Sequence, residues 1–455
     1  MPAKLLVLAM LFAPLMAAQA AADSELKDLL TRISQRMDAL EQQNRELAQE
    51  VKTLREELVK SKPTDNAAAA ASPAVENGPT LDERVGVVEQ RTAEQAQTKV
   101  EASQKFPIKL TGMLLFNAFA NTGNGAADAS YGYLLSGPET AGATVRQTIL
   151  GFQFQGPSLP GGGHVNADLM ADFFGGGSSP QSYWFRIRQA ALSFDWKKRS
   201  ISVGQDKPLI SLRDPDSLAE VGSPALAGAG NIWGWMPDVR YEERISLGTH
   251  SGITGQASVL QTSENYANLD GYSTTLAKAR PGIEGRAAYW HNWDDTRRIE
   301  LGGSFHSSVT HVGGGSAPSH IGAIDWLFVP SPFLKITGTY LAGQNFGAIG
   351  GLPMGVTILP NDQLIPVRSQ AGWLQLSMPL TSRLTLNVFG GGQFNQPNQL
   401  LAAEIQQNFA YAANLMYRIG PNVITGLETQ QMRLSLFQGG SRIINHYDLA
   451  LAYLF

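Results

Sequence analysis

The sequence predicts an all-β transmembrane barrel of about sixteen antiparallel strands, preceded by an N-terminal α-helical coiled coil. Three observations carry that expectation. An export-type leader opens the chain, and no later apolar run is long enough for a spanning helix. From Phe106 to the C-terminus the apolar residues recur every second position. The connections between these runs alternate between short and long.

Composition sets the outer bounds. Among 455 residues only 16% are charged and 43% are hydrophobic, with 47 glycines and no cysteine, which suits a chain whose exterior is not wholly aqueous and excludes disulfide staples and thiolate chemistry. The net charge of −4, with no Lys/Arg-rich run, gives no footprint for a nucleic-acid partner.

Residues 1–22 read as a signal peptide: Lys4, an apolar run from Leu5 to Met16, then small residues through Ala22. The run is shorter than the roughly 20 residues a spanning helix needs. An exported chain that stays in a membrane without such a helix crosses it with strands.

Residues 23–60 carry an unbroken heptad repeat. Leu30, Met37, Asn44, Val51 and Leu58 take the a positions, and Leu26, Ile33, Leu40, Leu47 and Leu54 the d positions. So narrow a seam buries itself only against another helix, which predicts self-association through a rod of roughly 50 Å. Asn44, a lone amide in that seam, gives up stability for register and oligomer state. The alternative is one long amphipathic helix lying on its own barrel. Residues 61–80 form an Ala/Pro/polar linker without periodicity, and 81–105 a second short helical segment.

Residues 106–455 form the barrel. In "HVNADLMADFF" (164–174) Val165, Ala167, Leu169, Ala171 and Phe173 alternate with His164, Asn166, Asp168, Met170 and Asp172. Strands are expected to start near residues 107, 144, 163, 183, 199, 238, 252, 282, 297, 319, 333, 367, 382, 406, 422 and 443, an even number, as in bacterial single-chain barrels. Short turns are expected at 156–162, 197–198, 249–251, 293–296, 330–332, 379–381 and 420–421. Longer loops are expected at 121–143, 175–182, 207–237, 262–281, 309–318, 344–366, 395–405 and 435–442. The chain ends in "HYDLALAYLF", whose odd positions are apolar up to Phe455, so the last strand is expected to pair with the first and leave no open edge in lipid. A change of apolar parity in "FRIRQAALSFDW" predicts a bulge near Gln189.

Sixteen strands enclose an aqueous channel, so the function expected is passage of small hydrophilic solutes. The longest outward loop, 207–237, holds Lys207, Arg213, Asp214, Asp216 and Glu220 and ends on Trp233 and Trp235. Its apolar content predicts that it folds inward as a constriction; the alternative is a surface loop covering a subunit contact. Strand parity puts Arg146, Arg186, Arg188 and Arg240 on the inner wall as a possible basic ladder. Asp168, Asp172, Glu242, Glu284 and Asp325 share that inward parity, so the alternative is mutual neutralisation by structural ion pairs.

The stretches "FPIKLTGMLLFNAFA" (106–120), "YWFRIRQAALSFDW" (183–196), "ISVGQDKP" (201–208) and "MPDVRYEERISLG" (236–248) resemble the DcaP-like outer-membrane porin family, and more distantly the phosphate-selective porins. The resemblance implies a homotrimeric channel in the bacterial outer membrane with its coiled coil in the periplasm. It also implies insertion by the barrel assembly machinery, contact with outer-membrane lipid, and a preference for small anionic solutes carried by Arg186, Arg188 and Arg240. The chain departs from the family pattern at Lys207 and in its aromatic- and Pro-rich loop.

Two other classes remain as alternatives. One is a structural envelope tether in which the pore is incidental. The other is an outer-membrane hydrolase, for which no HExxH or GxSxG arrangement is present and "GTHSG" at Gly248 has the wrong spacing. No cofactor or metal is expected; His164, Asp168 and Asp172 share one strand face, but they read as a solvated wall.

Overall fold

The computed structural model describes residues 108–122, 138–176, 183–264, 281–312, 315–361 and 363–455, all within a compact unit running from Pro107 to Phe455. The signal peptide, the heptad positions Leu30 to Leu58, the linker and the second helical segment lie outside the described residues.

The described residues form nineteen strands: β1 (Ile108–Asn121), β2 (Thr140–Thr144), β3 (Ile149–Leu159), β4 (Gly163–Gly175), β5 (Trp184–Asp195), β6 (Arg199–Asp206), β7 (Met236–Ser246), β8 (Ser251–Leu260), β9 (Gly282–Asn292), β10 (Arg298–Val312), β11 (Gly315–Ser331), β12 (Leu334–Gln344), β13 (Val356–Ile358), β14 (Leu364–Pro366), β15 (Arg368–Pro379), β16 (Leu384–Asn395), β17 (Ile405–Arg418), β18 (Val423–Leu436) and β19 (Ser441–Leu454). Strands β13 and β14 make a separate small hairpin, and β2 and β3 both pair with β1, as two halves of one interrupted stave. Seventeen strands thus build sixteen staves, each hydrogen-bonded to its sequence neighbour.

The ring is closed by β1 and β19, in register from Met113 opposite Leu454 to Asn121 opposite His446. Phe455 completes the seam by exchanging backbone hydrogen bonds with Gly112 at 2.9 and 3.1 Å. A barrel without edges satisfies every ladder group internally, which is the condition for standing in hydrocarbon.

Burial is inverted relative to a water-soluble sheet. Along β19, Ile444, His446, Asp448, Ala450 and Ala452 are buried, whereas Tyr447, Leu449, Leu451 and Tyr453 are about half exposed. The same holds around the ring. Asn117, Asp172, Glu284, Asp325, Gln375, Asn414 and Glu428 are buried, and Leu114, Val239, Leu301, Ile324, Leu374 and Leu427 are exposed. Leaving a large aliphatic side chain in water forfeits about 1.5–3 kcal/mol. Repeated over dozens of staggered positions, that cost makes water an untenable exterior and lipid the matching one. Outward Tyr289, Tyr411, Tyr417, Tyr447 and Tyr453 add the amphipathic rings typical of a membrane interface.

The connections divide by parity, with one correction. Short turns span 160–162, 196–198, 247–250, 293–297, 332–333, 380–383 and 419–422, while the other rim carries the longer segments. Within the loop expected at 309–318, residues 309–312 and 315–318 are instead strand: β10 and β11 stay paired through His311 opposite Ser316 and Val312 opposite Gly315. Its Ser, Thr and Gly residues suggested a loop, yet the two-residue alternation continues, with His306, Ser308 and Thr310 facing in. The turn expected at 156–162 likewise holds strand as far as Leu159, across an irregularity between Gln155 and Ser158. The bulge expected near Gln189 falls one residue away. Met170 opposes Gln189 and Ala171 opposes Ile187, so Arg188 is the extra residue.

Candidate functional site

The site begins where a stave breaks. Between β2 and β3 the backbone turns over 145–148, with Thr148 N donating to Val145 O (3.0 Å) and Arg146 N to the Thr144 hydroxyl (3.2 Å). The break drives Arg146, Gln147 and Thr148 into the interior, where all three are buried. On the next staves the Arg188 bulge and the regular position of Arg186 bring two more guanidinium groups to the same wall.

Two rings lie against these cations, and two of the three share one carboxylate. Arg186 binds Asp172 bidentately, Nε to Oδ1 at 3.0 Å and Nη2 to Oδ2 at 2.6 Å, and Arg188 Nη1 reaches the same Oδ2 at 3.2 Å. The Arg146 guanidinium lies 4.5 Å from the Phe174 ring centroid. Arg186 lies 5.1 Å from both Phe174 and Trp235, and Arg188 lies 4.7 Å from Trp235. Aromatic faces stabilise cations without neutralising them, and Arg186 and Arg188 share the single carboxylate of Asp172. Trp233 packs edge-on against Trp235 at 5.3 Å.

The segment 207–235, between β6 and β7, crosses from this wall to the opposite one. Gln147 is its central fastening: Nε2 donates to Asn117 Oδ1 (3.0 Å) and Ala219 O (2.7 Å), and Oε1 accepts from Val221 N (2.7 Å) and Gly222 N (2.6 Å). Arg188 and Arg186 donate to Val221 O and Gly222 O at 2.9 and 2.5 Å. Farther round, Asn117 donates to Leu218 O, Ser217 to Glu428, Asn414 to Asp216 O, and Asn408 to Gly228 O, at 2.9, 2.6, 2.9 and 2.9 Å. Asp216 receives Gln375 Nε2 at 2.7 Å and Lys335 Nζ at 2.5 Å. Backbone groups of an irregular segment need such partners when removed from water, and here the inward-facing amides of the wall supply them.

Packing fixes the same path. Ala225, Leu226 and Ala229 form an apolar cluster with the inward Trp373, Phe389, Ala410, Ala412, Met432 and Ile444. Gly230 sits at φ +99°, in the left-handed region, and a Cβ there would meet Gly392 N at 2.6 Å, so only glycine allows this approach. A second loop, 345–367, joins in: Phe346 and Ile349 pack with Ile210, Ile232 and Met236, and Trp233 N donates to Gly350 O at 3.4 Å.

Most of the other expected charged residues fall into ion pairs. Lys207 pairs with Asp214. Arg213 binds Glu300 (2.8 Å) and Asp325 (3.2 Å), and Arg286 binds both carboxylates at 2.7 and 2.8 Å. Arg240 pairs with Asp238 at 2.9 Å and lies 3.5 Å from Asp206, so it belongs to a compensated group apart from Arg146, Arg186 and Arg188. Glu242 accepts from Arg244 and Gln256 at 2.6 and 2.8 Å. Asp168 stands exposed on β4, while Glu220 is buried in the crossing segment. Asp172 is committed to two arginines, which removes it from any set with His164 and Asp168. Among the described residues no group of three or more His, Asp or Glu is arranged to hold a metal.

Sequence reasoning missed Gln147, Gln375, Arg286 and the loop 345–367. For the loop a signal existed: Phe346, Ile349, Leu352, Met354 and Val356 are as apolar as the 207–237 loop, and all are buried.

No family model matches the chain, and no curated protein matches it. Solved structures do. The outer-membrane channel DcaP of Acinetobacter baumannii is similar with a TM-score of 0.61 at 16% identity, covering 76% of this chain and 97% of that one. The anion-selective porin from Comamonas acidovorans is similar with a TM-score of 0.53 at 11% identity, covering 76% and 99%. At these identities the likeness is one of fold.

Proposed function

We propose that this chain is an outer-membrane porin: a passive channel for small hydrophilic solutes, with residues 207–235 as its constriction and a bias toward anions. The observation that carries the reading is a closed, inside-out barrel whose longest loop is hydrogen-bonded to inward-facing side chains on opposite walls. Open pores of this width are narrowed by what crosses them, and charge at the narrowest section decides which ions enter.

The bias follows from the residues that meet at the crossing segment. Arg186 and Arg188 share Asp172 on one wall, with Trp235 and Phe174 against the guanidinium planes of Arg146, Arg186 and Arg188. The Arg213, Arg286, Glu300 and Asp325 group is balanced, and in the Arg240, Asp206 and Asp238 group two carboxylates face one guanidinium. Two guanidinium groups that share one carboxylate beside a narrow passage raise the local concentration of anions. The solved structures of like fold include a protein described as anion-selective, which accords with this reading.

The remaining assignments belong to the same proposal. Residues 1–22 direct export, the heptads of 23–60 associate copies of the chain in the periplasm with a trimer as the expected state, and the barrel assembly machinery inserts 106–455 among outer-membrane lipids. The chain on this reading is not an enzyme. Purified protein in planar bilayers tests it: discrete conductance steps are expected, with a reversal potential of anion-selective sign in a salt gradient. Absence of steps would refute the porin reading and favour a tether, for which deletion of Leu26–Val59 would instead weaken the envelope. Cation-selective reversal would refute the charge argument alone.

A further inference from the structure

Next to the seam that closes the barrel, two carboxylates stand directly opposite one another. Glu428 of β18 and Asp448 of β19 are register partners on the inward face, 6% and 4% exposed, and the next inward residue of β18, Gln430, is 2% exposed. Among the described residues Glu428 Oε1, Asp448 Oδ2 and both amide atoms of Gln430 have no hydrogen-bond partner. We propose that Glu428, Asp448 and Gln430 bind one hard divalent cation of the calcium type, which ties the crossing segment to the closing staves.

Charge calls for a counter-ion there. The second oxygen of each carboxylate is satisfied by neutral donors: Glu428 Oε2 accepts from Ser217 Oγ (2.6 Å) and Asn414 Nδ2 (2.9 Å), and Asp448 Oδ1 accepts from Asn117 Nδ2 (3.0 Å). Among the described residues no Lys, Arg or His forms an ion pair with either carboxylate. Like charges directly opposite across a ladder are destabilising, and buried charges are ordinarily paired or coordinate a metal.

The surroundings suit such an ion. Glu428, Asp448 and Asn414 share with Leu218 and Ala219 of the crossing segment a space of about 150 Å³, too narrow to admit a water molecule. A calcium-type ion lies about 2.4 Å from its ligand oxygens, whereas a hydrogen-bonded water stands about 2.8 Å away. The ion therefore needs less room. Two carboxylates do not complete its shell, but hard cations also accept amide and backbone carbonyl oxygens. Gln430 Oε1 offers one. Leu218 O and Ala219 O each accept one hydrogen bond, from Asn117 and Gln147, and keep a second lone pair. Oxygen donors favour calcium or magnesium over zinc or copper, and the lack of room for retained waters favours calcium. With ligands on β18 and β19 beneath residues 217–219, the ion is a second fastening for the segment beside Gln147. The site itself stands apart from the porin reading, on which only its effect on conductance rests.

The test uses the detergent-folded full chain, stripped of metal with EDTA and titrated with calcium chloride. Calorimetry should give saturable binding of one ion per chain, with a Kd on the order of 10⁻⁴ M. Calcium should also raise the urea midpoint of unfolding and suppress proteolysis within 207–235. The double variant Glu428→Gln/Asp448→Asn keeps side-chain shape and removes both charges; it should bind at least about tenfold more weakly and show neither calcium effect. Gln430→Ala leaves both carboxylates in place and should weaken binding severalfold, which keeps the test decisive if the double variant does not fold. No calcium binding by the native chain overturns the site and leaves a shared proton to neutralise the pair; equal binding by native chain and double variant also overturns it. In bilayers, EDTA should add brief excursions to higher conductance in the native channel only, and a native channel indifferent to EDTA overturns the fastening role. Calcium binding that the double variant loses, in a protein without conductance, upholds the site and overturns the porin reading.

Discussion

Gln147 is the residue on which the crossing segment depends most, because one side chain makes four hydrogen bonds to the segment and its support. Gln147→Ala removes all four. It leaves Val221 N and Gly222 N without their acceptor, each at about 1–3 kcal/mol when kept from water. The vacated space opens toward a wet lumen, where water can restore part of the loss, so the lower end applies and about 2–3 kcal/mol is expected. Because every 1.4 kcal/mol is a factor of ten, the detached form of the segment should rise roughly 30- to 150-fold. Single-channel recording reads this as brief excursions to a higher conductance level, and limited proteolysis reads it as new cleavage within 207–235. Gln147→Glu keeps the acceptor for the two backbone N–H groups and loses only the donors, so it should fall between alanine and native. A Gln147→Ala channel with native noise, native step size and no new cleavage would refute the view that this segment is held across the lumen by that side chain.

Further outcomes follow from the same geometry. Gly230→Val, which would drive a side chain against the Gly372 and Gly392 backbone, should lift the segment apex from its wall and raise the step conductance; an unchanged step would show that the apex does not narrow the path. Asp325→Asn removes the carboxylate shared by Arg286 and Arg213, and should move the reversal potential toward stronger anion preference; a shift toward cations would place that group outside the permeation path. Leu449→Arg, near the middle of β19 on the outward face, should cost about 2–4 kcal/mol in urea unfolding from lipid vesicles, and a neutral result would mean that this face does not meet hydrocarbon.

How much of this could be read beforehand depends on the range of the interactions involved. Alternation is local, so the staves, their inward and outward faces and even the Arg188 bulge are legible: "FRIRQAALSFDW" changes parity within six residues. Stave ends are less legible because strand and loop compete through pairing with a distant partner. Strands β10 and β11 stay paired from Val309 opposite Pro318 to Val312 opposite Gly315 although the Ser, Thr and Gly residues there favour a loop. The inward Arg residues could be named, but not their partners. Arg186 and Arg188 meet Asp172 only because β4 and β5 are adjacent, and Asp238 and Asp206 trap Arg240 through local register. Gln147 carried no signal at all, since its importance arises from a break in one stave meeting a loop 72 residues later.

The two inward loops also explain a feature that a water-filled barrel does not call for. Trp373, Phe389, Met432 and Ile444 point inward from β15 to β19, where a wet wall should be polar. They are buried because Ala225, Leu226 and Ala229 cover them, so the loop and that wall are complementary: neither surface is compatible with water alone, and together they form a small core inside the barrel. On the proposed porin reading, the space for solute lies toward the opposite arc. There Gln153, Asp168, Glu242, Arg244 and Gln256 stay at least partly exposed, and the Arg146, Arg186 and Arg188 patch borders the crossing segment. On the proposed porin reading, a solute taking that course meets the Arg186, Arg188 and Asp172 group where the segment crosses, and selectivity would depend on which arc the loop leaves open as well as on the total charge of the lumen.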